Sequence, residues 1–472
     1  MQTVPLRPVR GPRGLPCLGN LPAFGKDPLA FMARMRDEYG DAVTWSLGPR
    51  RSLFLSHPQH IAEFLGSREH AYGLLEVGWA FQRIVGESVV RSTGADWRRK
   101  RGLVQPAVRP RQVRHFGRTM VDSALDAAGG WRDGERLDVQ REMTLITQRV
   151  VLRTLFGNDL GDRTRALVEA MAVAEHMIST ELHGLRLFLP DWVRTPSRRR
   201  LLDAVATVDA EVHRLIGARR NRPGGDDSGD GGSGPSKRRA DVRTAAAGGG
   251  DLLDRLLEAA DEDGRPLSAK EVRDEAVTLW AAGHETTSTA LTWIWYLLSR
   301  SPRARARLDD ELDRVLGGRS PAVDDYERLV WTRQIVKEAL RIYPPAWVIP
   351  AVAREGAVLG GRAVPAGTTV WCSQWTVHRD PRWFPDPTAF RPERWDADAP
   401  DAIPDHAWFP FGGGPRGCIG ARFAQVEAAL LLATLAQRFH LDVTPREVPH
   451  KVGLFIQPAV PLIATLRARP QG

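Results

Sequence analysis

The chain has 472 residues, 42% hydrophobic and 26% charged, a balance that excludes a disordered chain and one embedded throughout in a membrane. A formal net charge of +9 is carried by arginines scattered along the whole sequence, so charge by itself selects no nucleic-acid or lipid partner. Cys17, Cys372 and Cys418 are too few and too far apart for a disulfide framework and suit a reducing compartment.

The opening stretch MQTVPLRPVRGPRGLPCLGN is broken by proline, glycine and arginine where a signal peptide needs an apolar block. No run of about 18 apolar residues follows, so a cytoplasmic protein with no membrane anchor is expected. Residues 41–55, DAVTWSLGPRRSLFL, predict a short strand pair bent at Gly48-Pro49, and helical patterns alternate with short loops after it. Residues 221–250 are rich in Gly, Ser, Asp and Arg with almost nothing to bury. They predict a flexible insertion between two helices, inside one domain spanning 1–472.

Ser268 and Glu271 have capping-box spacing ahead of a helical pattern that Pro302 stops, which predicts a helix of about 30 residues, or about 45 Å. A second helix, DYERLVWTRQIVKEALRIY, is expected to end at Pro344-Pro345, and strands and hairpins are expected over 346–377. The loop-rich stretch HRDPRWFPDPTAFRPERW leads to FPFGGGPRGCIG and then to the helical pattern ARFAQVEAALLLATLAQRF.

Cys418 stands just before that last helix, where free backbone N–H groups and the positive end of the helix dipole should lower its pKa. A thiolate binds soft or borderline metals, haem iron included. The glycines let backbone amides point at the sulfur, Phe411 can shield it from water, and Arg416 offers a fork for a carboxylate. Two plainer readings stay open on this stretch alone: a small buried hydrophobe, and a glycine-rich loop cradling a phosphate. The second is weakened because neither GxGxxG nor GxxxxGK[ST] is present. Phe411, Gly414, Arg416, Cys418 and Gly420 together match FxxGxRxCxG, and the segment resembles the haem-binding signature of the cytochrome P450 family. The resemblance implies that Cys418 is the axial iron ligand and that the following helix packs on the proximal face of the haem.

Further along the same comparison, AGHETT at 282–287 puts a glycine, a carboxylate and hydroxyls into an apolar helix. Gly283 costs about 1 kcal/mol relative to alanine there, which points to close approach of something to the backbone. Thr286 can bond back to the Ala282 carbonyl and open a notch. The set resembles the family motif in which the acid and the threonine deliver protons during dioxygen activation, which makes Glu285 and Thr286 the implied catalytic pair. Glu338 and Arg341, three apart on one helical face, resemble the family's ExxR, with Arg394 as third member of a structural clamp. Trp97 and Arg101 match its WxxxR helix and are implied to hold haem propionates, as is Arg354. His378 is read as a satisfied structural histidine.

The family fold is mainly α with a small β-rich lobe, a triangular prism enclosing haem. The implied activity is monooxygenation: one atom of O2 enters a hydrophobic small molecule such as a terpenoid, lipid or polyketide, and the other leaves as water. Haem b is the implied cofactor, with NAD(P)H acting indirectly through a ferredoxin and its reductase; the chain is expected to be a monomer that binds no nucleic acid. Arg98, Arg99, Lys100, Arg379 and Arg422 are candidates for a basic face that meets an acidic donor, or else are solvated bystanders. By resemblance the pocket is walled by Trp79, Phe81, Leu279, Ala282, Val348, Ile349, Leu454 and Phe455. The alternatives are a partner-independent peroxygenase or isomerase, and a non-enzymatic haem sensor.

Overall fold

The computed structural model describes residues 6–75, 78–157, 163–182, 192–193, 195–221, 250–399, 403–444 and 447–469. The insertion expected over 221–250 lies outside them except at its two ends; the helices beside it are Pro196–Arg220 and Leu252–Glu258.

The long helix runs Ala269–Arg300, 32 residues, and begins at the expected place for the expected reason. The Ser268 hydroxyl accepts from the Glu271 N–H while the Glu271 carboxylate accepts from the Ser268 N–H, which satisfies two of the free donors at the helix start. Its tryptophans Trp280, Trp293 and Trp295 are almost wholly buried, each contributing about 2–3 kcal/mol of burial. Helices Val139–Phe156, Val330–Ile342 and Ala421–Ala436 pack against it. The cost of Gly283 is explained here: a Cβ at that position would come within 2.8 Å of Val151 Cγ2, so the glycine lets helix Val139–Phe156 approach.

The strand pair Ala42–Leu47 and Arg50–Leu55 turns through Gly48, whose φ of 59° favours glycine. It sits inside a six-stranded sheet ordered Val9–Arg10, Ala42–Leu47, Arg50–Leu55, Thr369–Cys372, Ile349–Ala353, Tyr72–Gly73. Ser52 aligns with Thr369 in parallel, and Ile349 with Cys372 antiparallel. This sheet has its own apolar cluster around Phe64, Leu55 and Val370. A three-stranded sheet (Phe439–Thr444, Ile463–Ala468, Arg136–Asp138) and the hairpins His450–Val452/Ile456–Pro458 and Val358–Leu359/Arg362–Ala363 complete the β-rich part among the described residues. The architecture is therefore mainly helical with a small β-rich lobe, as expected.

One helix begins later than its pattern suggested. The segment expected to be helical from Asp325 is a single 3-10 turn, Val323–Asp325, and the helix proper is Val330–Ile342. The Asp325 carboxylate accepts from the Ala322 N–H and from Arg319 and Arg328, so its side chain fixes a turn instead of opening a helix.

Candidate active site

The cysteine loop is shaped by its glycines. Gly414 has φ 63°, and a Cβ there would fall on the Leu65 carbonyl oxygen of helix Pro58–Ser67. The Cys418 N–H donates to the Phe411 carbonyl at 2.9 Å, closing the loop, and Gly420 is the N-cap of helix Ala421–Ala436. Cys418 has accessible surface, although protein surrounds its sulfur closely enough to push the thiol pKa up. The sulfur therefore faces a recess. The lowered pKa expected from the helix start is thus corrected: burial outweighs the Gly420 N–H and the Arg101 charge, which pull the other way.

Arg101, on helix Gly94–Val104, donates to the Gly417 carbonyl at 3.0 Å. Arg416 donates to the Ser92 carbonyl at 2.6 Å, and the Trp97 indole lies near both guanidiniums, 5.7 Å from that of Arg101 and 4.7 Å from that of Arg416. Burial lowers the Arg416 pKa to about 10, helped by the charges of Arg68, Arg354 and Arg101 and opposed by Glu69. Glu69 is itself engaged by Arg98 at 2.5 Å. The Arg68 Nε is buried without a hydrogen-bond partner among the described residues. A recessed thiol beside guanidiniums that repel one another fits a metal-bearing ring with carboxylate arms, so the residues present suit haem. Arg68 was missed in the sequence, where no motif surrounds it.

On the long helix, which stays continuous here, the Thr286 hydroxyl donates to the Ala282 carbonyl at 2.8 Å as expected, and Ala282 is exposed on an otherwise largely buried helix. The Glu285 Oε1 accepts from Gln457 Nε2 at 2.9 Å. Burial raises the Glu285 pKa to about 7; the Glu175 charge adds to the rise, while His284, Gln457 and Lys451 oppose it. His284 is wholly buried, with Nδ1 2.8 Å from the Trp280 carbonyl and Nε2 2.6 Å from Glu175. The cysteine helix meets this region through Glu427, which touches Thr287 and is pushed by burial to about 8. Gln457, Glu175 and Glu427 were not legible as site neighbours.

Glu338, Arg341 and Arg394 do come together, buried, in the expected clamp. Arg341 binds Glu338 through Nε at 2.9 Å and Nη2 at 2.8 Å, Arg394 Nε donates at 2.9 Å, and Trp395 Nε1 at 3.0 Å. Arg341 also donates to the carbonyls of His378, Pro387 and Ala389. The His378 Nε2 accepts from the Phe409 N–H at 2.9 Å, so the clamp reaches the cysteine loop through this histidine; its Nδ1 has no hydrogen-bond partner among the described residues, so the expected satisfied histidine is met at one ring nitrogen only.

Phe81, Leu279, Val348, Ile349, Leu454 and Phe455 are each partly exposed. Trp79 departs from this: it is 6% exposed and packed under Arg198, 4.6 Å from its ring, so it joins two helices and offers little wall. Two members of the basic face are also corrected. Lys100 is 4% exposed and spent on Asp96, Ser92 and the Glu87 carbonyl, and Arg379 is half-buried over Trp375, 3.2 Å from its ring. Arg99 is held by Asp261 and Glu271, and Arg422 by Glu327.

Among the described residues no helix is long and apolar enough to cross a membrane. A family profile described as Cytochrome P450 matches residues 9–464. The chain is 34% identical to cyclooctatin synthase of Streptomyces melanosporofaciens over 92% of its own length and 90% of that protein's. It is 33% identical to cyclooctat-9-en-7-ol 5-monooxygenase of the same organism, covering 92% and 89% of the two chains. It is also 33% identical to pentalenene oxygenase of Streptomyces avermitilis, covering 92% and 91%. The chain belongs to the cytochrome P450 family and is a monooxygenase of that family.

Proposed function

We propose that this monooxygenase oxidises a largely apolar, terpenoid-type substrate at Cys418-ligated haem b, converting R–H, O2, two electrons and two protons into R–OH and water. The carrying observation is the recessed Cys418 sulfur, with the Gly420 N–H aimed at it and Arg101, Arg354 and Arg416 gathered nearby. The relatives named for cyclooctatin and pentalenene oxygenation support the terpenoid class, as do the apolar residues chosen as pocket walls.

Cys418 would hold the iron, with Phe411 excluding water and the three arginines pairing with the propionates. Haem bound there supplies dioxygen binding and its reductive activation. Glu285, with a pKa of about 7, can take up and release a proton near neutrality, and the Thr286 hydroxyl is fixed by the Ala282 carbonyl beside it. The electrons would come from NAD(P)H through a ferredoxin and its reductase in the cytoplasm, with the enzyme acting as a monomer. Arg98 and Arg422 keep partly exposed guanidiniums that an acidic donor could meet.

The test has two steps. The ferrous carbon monoxide adduct should show the thiolate-ligated band, and cyclic terpenes added to the ferric protein should displace bound water as a spectral shift. A globin-like adduct would exclude Cys418 as ligand, and binding of fatty acids or macrolides alone would exclude the terpenoid class. Thr286→Ala should divert reducing equivalents to peroxide; unchanged coupling would favour a partner-independent or sensing role.

A further inference from the structure

We propose that Gln457 is a positioning residue for Glu285, holding one carboxyl oxygen so that the other carries the transferable proton.

The geometry begins with the hairpin His450–Val452/Ile456–Pro458, which Lys451 and Gln457 pair across. Ile456 and Pro458 are buried while Gln457 between them is partly exposed, so alternation turns Gln457 to the other face, where it meets the long helix. The hairpin is itself pinned. Trp293 Nε1 donates to the Ile456 carbonyl at 3.0 Å, the Ile456 N–H donates to the Pro345 carbonyl at 3.1 Å, and Trp347 Nε1 donates to the Gly453 carbonyl at 3.0 Å. A strand held this firmly delivers its amide to a fixed point.

Hydrogen-bond polarity then assigns the carboxyl. Gln457 Nε2 is a donor, so Glu285 Oε1 is the accepting oxygen and any proton on the group belongs on Oε2. The charged groups that bear on Glu285 come from different elements: Glu175 on helix Thr164–Leu182, His284 on its own helix and Lys451 on the neighbouring strand. Gln457 is the donor seen to touch it directly. Without that bond the side chain is free to choose among rotamers, and proton delivery loses its direction. The same bond opposes the upward push of burial on the acid.

This inference rests on the assignment of Glu285 as proton donor, and its test reads the carboxyl directly. In the purified holoprotein, the infrared carbonyl band of protonated Glu285 is identified by its absence in Glu285→Gln and titrated against pH. Gln457→Leu should raise the midpoint by about one pH unit and increase peroxide leakage about threefold or more. Gln457→Asn, whose donor stops one methylene short, should fall between and serves if the leucine variant folds poorly. Parental midpoint and coupling in both variants overturn the inference. Should Thr286→Ala then still uncouple turnover, the proposed function stands and only the role of Gln457 falls.

Discussion

Two carboxylates in this chain, Glu338 buried and Glu285 half-buried, are treated in opposite ways. Glu338 is surrounded by donors from Arg341, Arg394, Trp395 and the Arg391 N–H, drawn from its own helix and from residues 391–395. Among the described residues Glu285 accepts from one neutral donor, Gln457, and although His284 and Lys451 oppose the rise, burial and the nearby Glu175 carboxylate take its pKa to about 7. A carboxylate surrounded by donors has both oxygens committed to its partners and serves to hold structure. One left nearly bare can change protonation near neutral pH, which is what proton delivery asks for.

Removing Glu338 should break this contrast most severely. In Glu338→Ala the Arg341 guanidinium stays buried without its partner and cannot shed its proton, so a loss of about 3–5 kcal/mol is expected. Denaturant unfolding and the fraction of protein that retains haem would measure it. Glu285→Gln sharpens the other half: the chain should fold normally while coupled product formation falls about 100-fold. In the parent protein, coupled turnover should decline as pH rises through about 7, where Glu285 loses its proton, and that decline should be absent from the residual activity of the glutamine variant.

Glu427 tests the rule on an acid that plays no part in the proposed chemistry. Its folded pKa, about 8, lies above the unfolded value, so the folded chain binds the extra proton between the two. Stability should therefore fall as pH rises from about 5 to about 8, and Glu427→Gln should remove that slope, as read by thermal unfolding across pH. The smallest effect is expected at the buried His284 contact. Burial alone would lower the His284 pKa, but the Glu175 charge and the Trp280 carbonyl raise it. The stabilisation is thus complete below the unfolded value of about 6.5 and lost as pH rises through the folded one. Glu175→Gln should cost about 1 kcal/mol in acid and little in alkali, because imidazole, unlike Arg341, can give up its charge.

Much of the site was legible because its parts recur at short spacing: Phe411 to Gly420, Glu338 with Arg341, and Glu285 with Thr286. The capping box at Ser268 and the strand turn at Gly48 were legible for the same reason, since their causes are local. What escaped depends on tertiary contact. Gln457 meets Glu285 across 172 positions, and Arg68 joins the arginines only after helix Pro58–Ser67 packs beside the cysteine loop. The sign of the Cys418 shift was misjudged because the helix start is visible in sequence and the protein packed around the sulfur is not. Lys100 and Arg379 looked like surface charges even though Asp96 and Trp375, each four residues earlier, are among their partners: how far the folded chain packs around the two side chains is what the sequence does not show.

The absence of a side chain at Gly414 has a mechanical consequence. Its α-carbon rests on the carbonyl end of helix Pro58–Ser67, so the β-rich lobe acts as a depth stop for the sulfur. A side chain at position 414 would have to push the cysteine loop and the end of helix Pro58–Ser67 apart, so the two can shift only together.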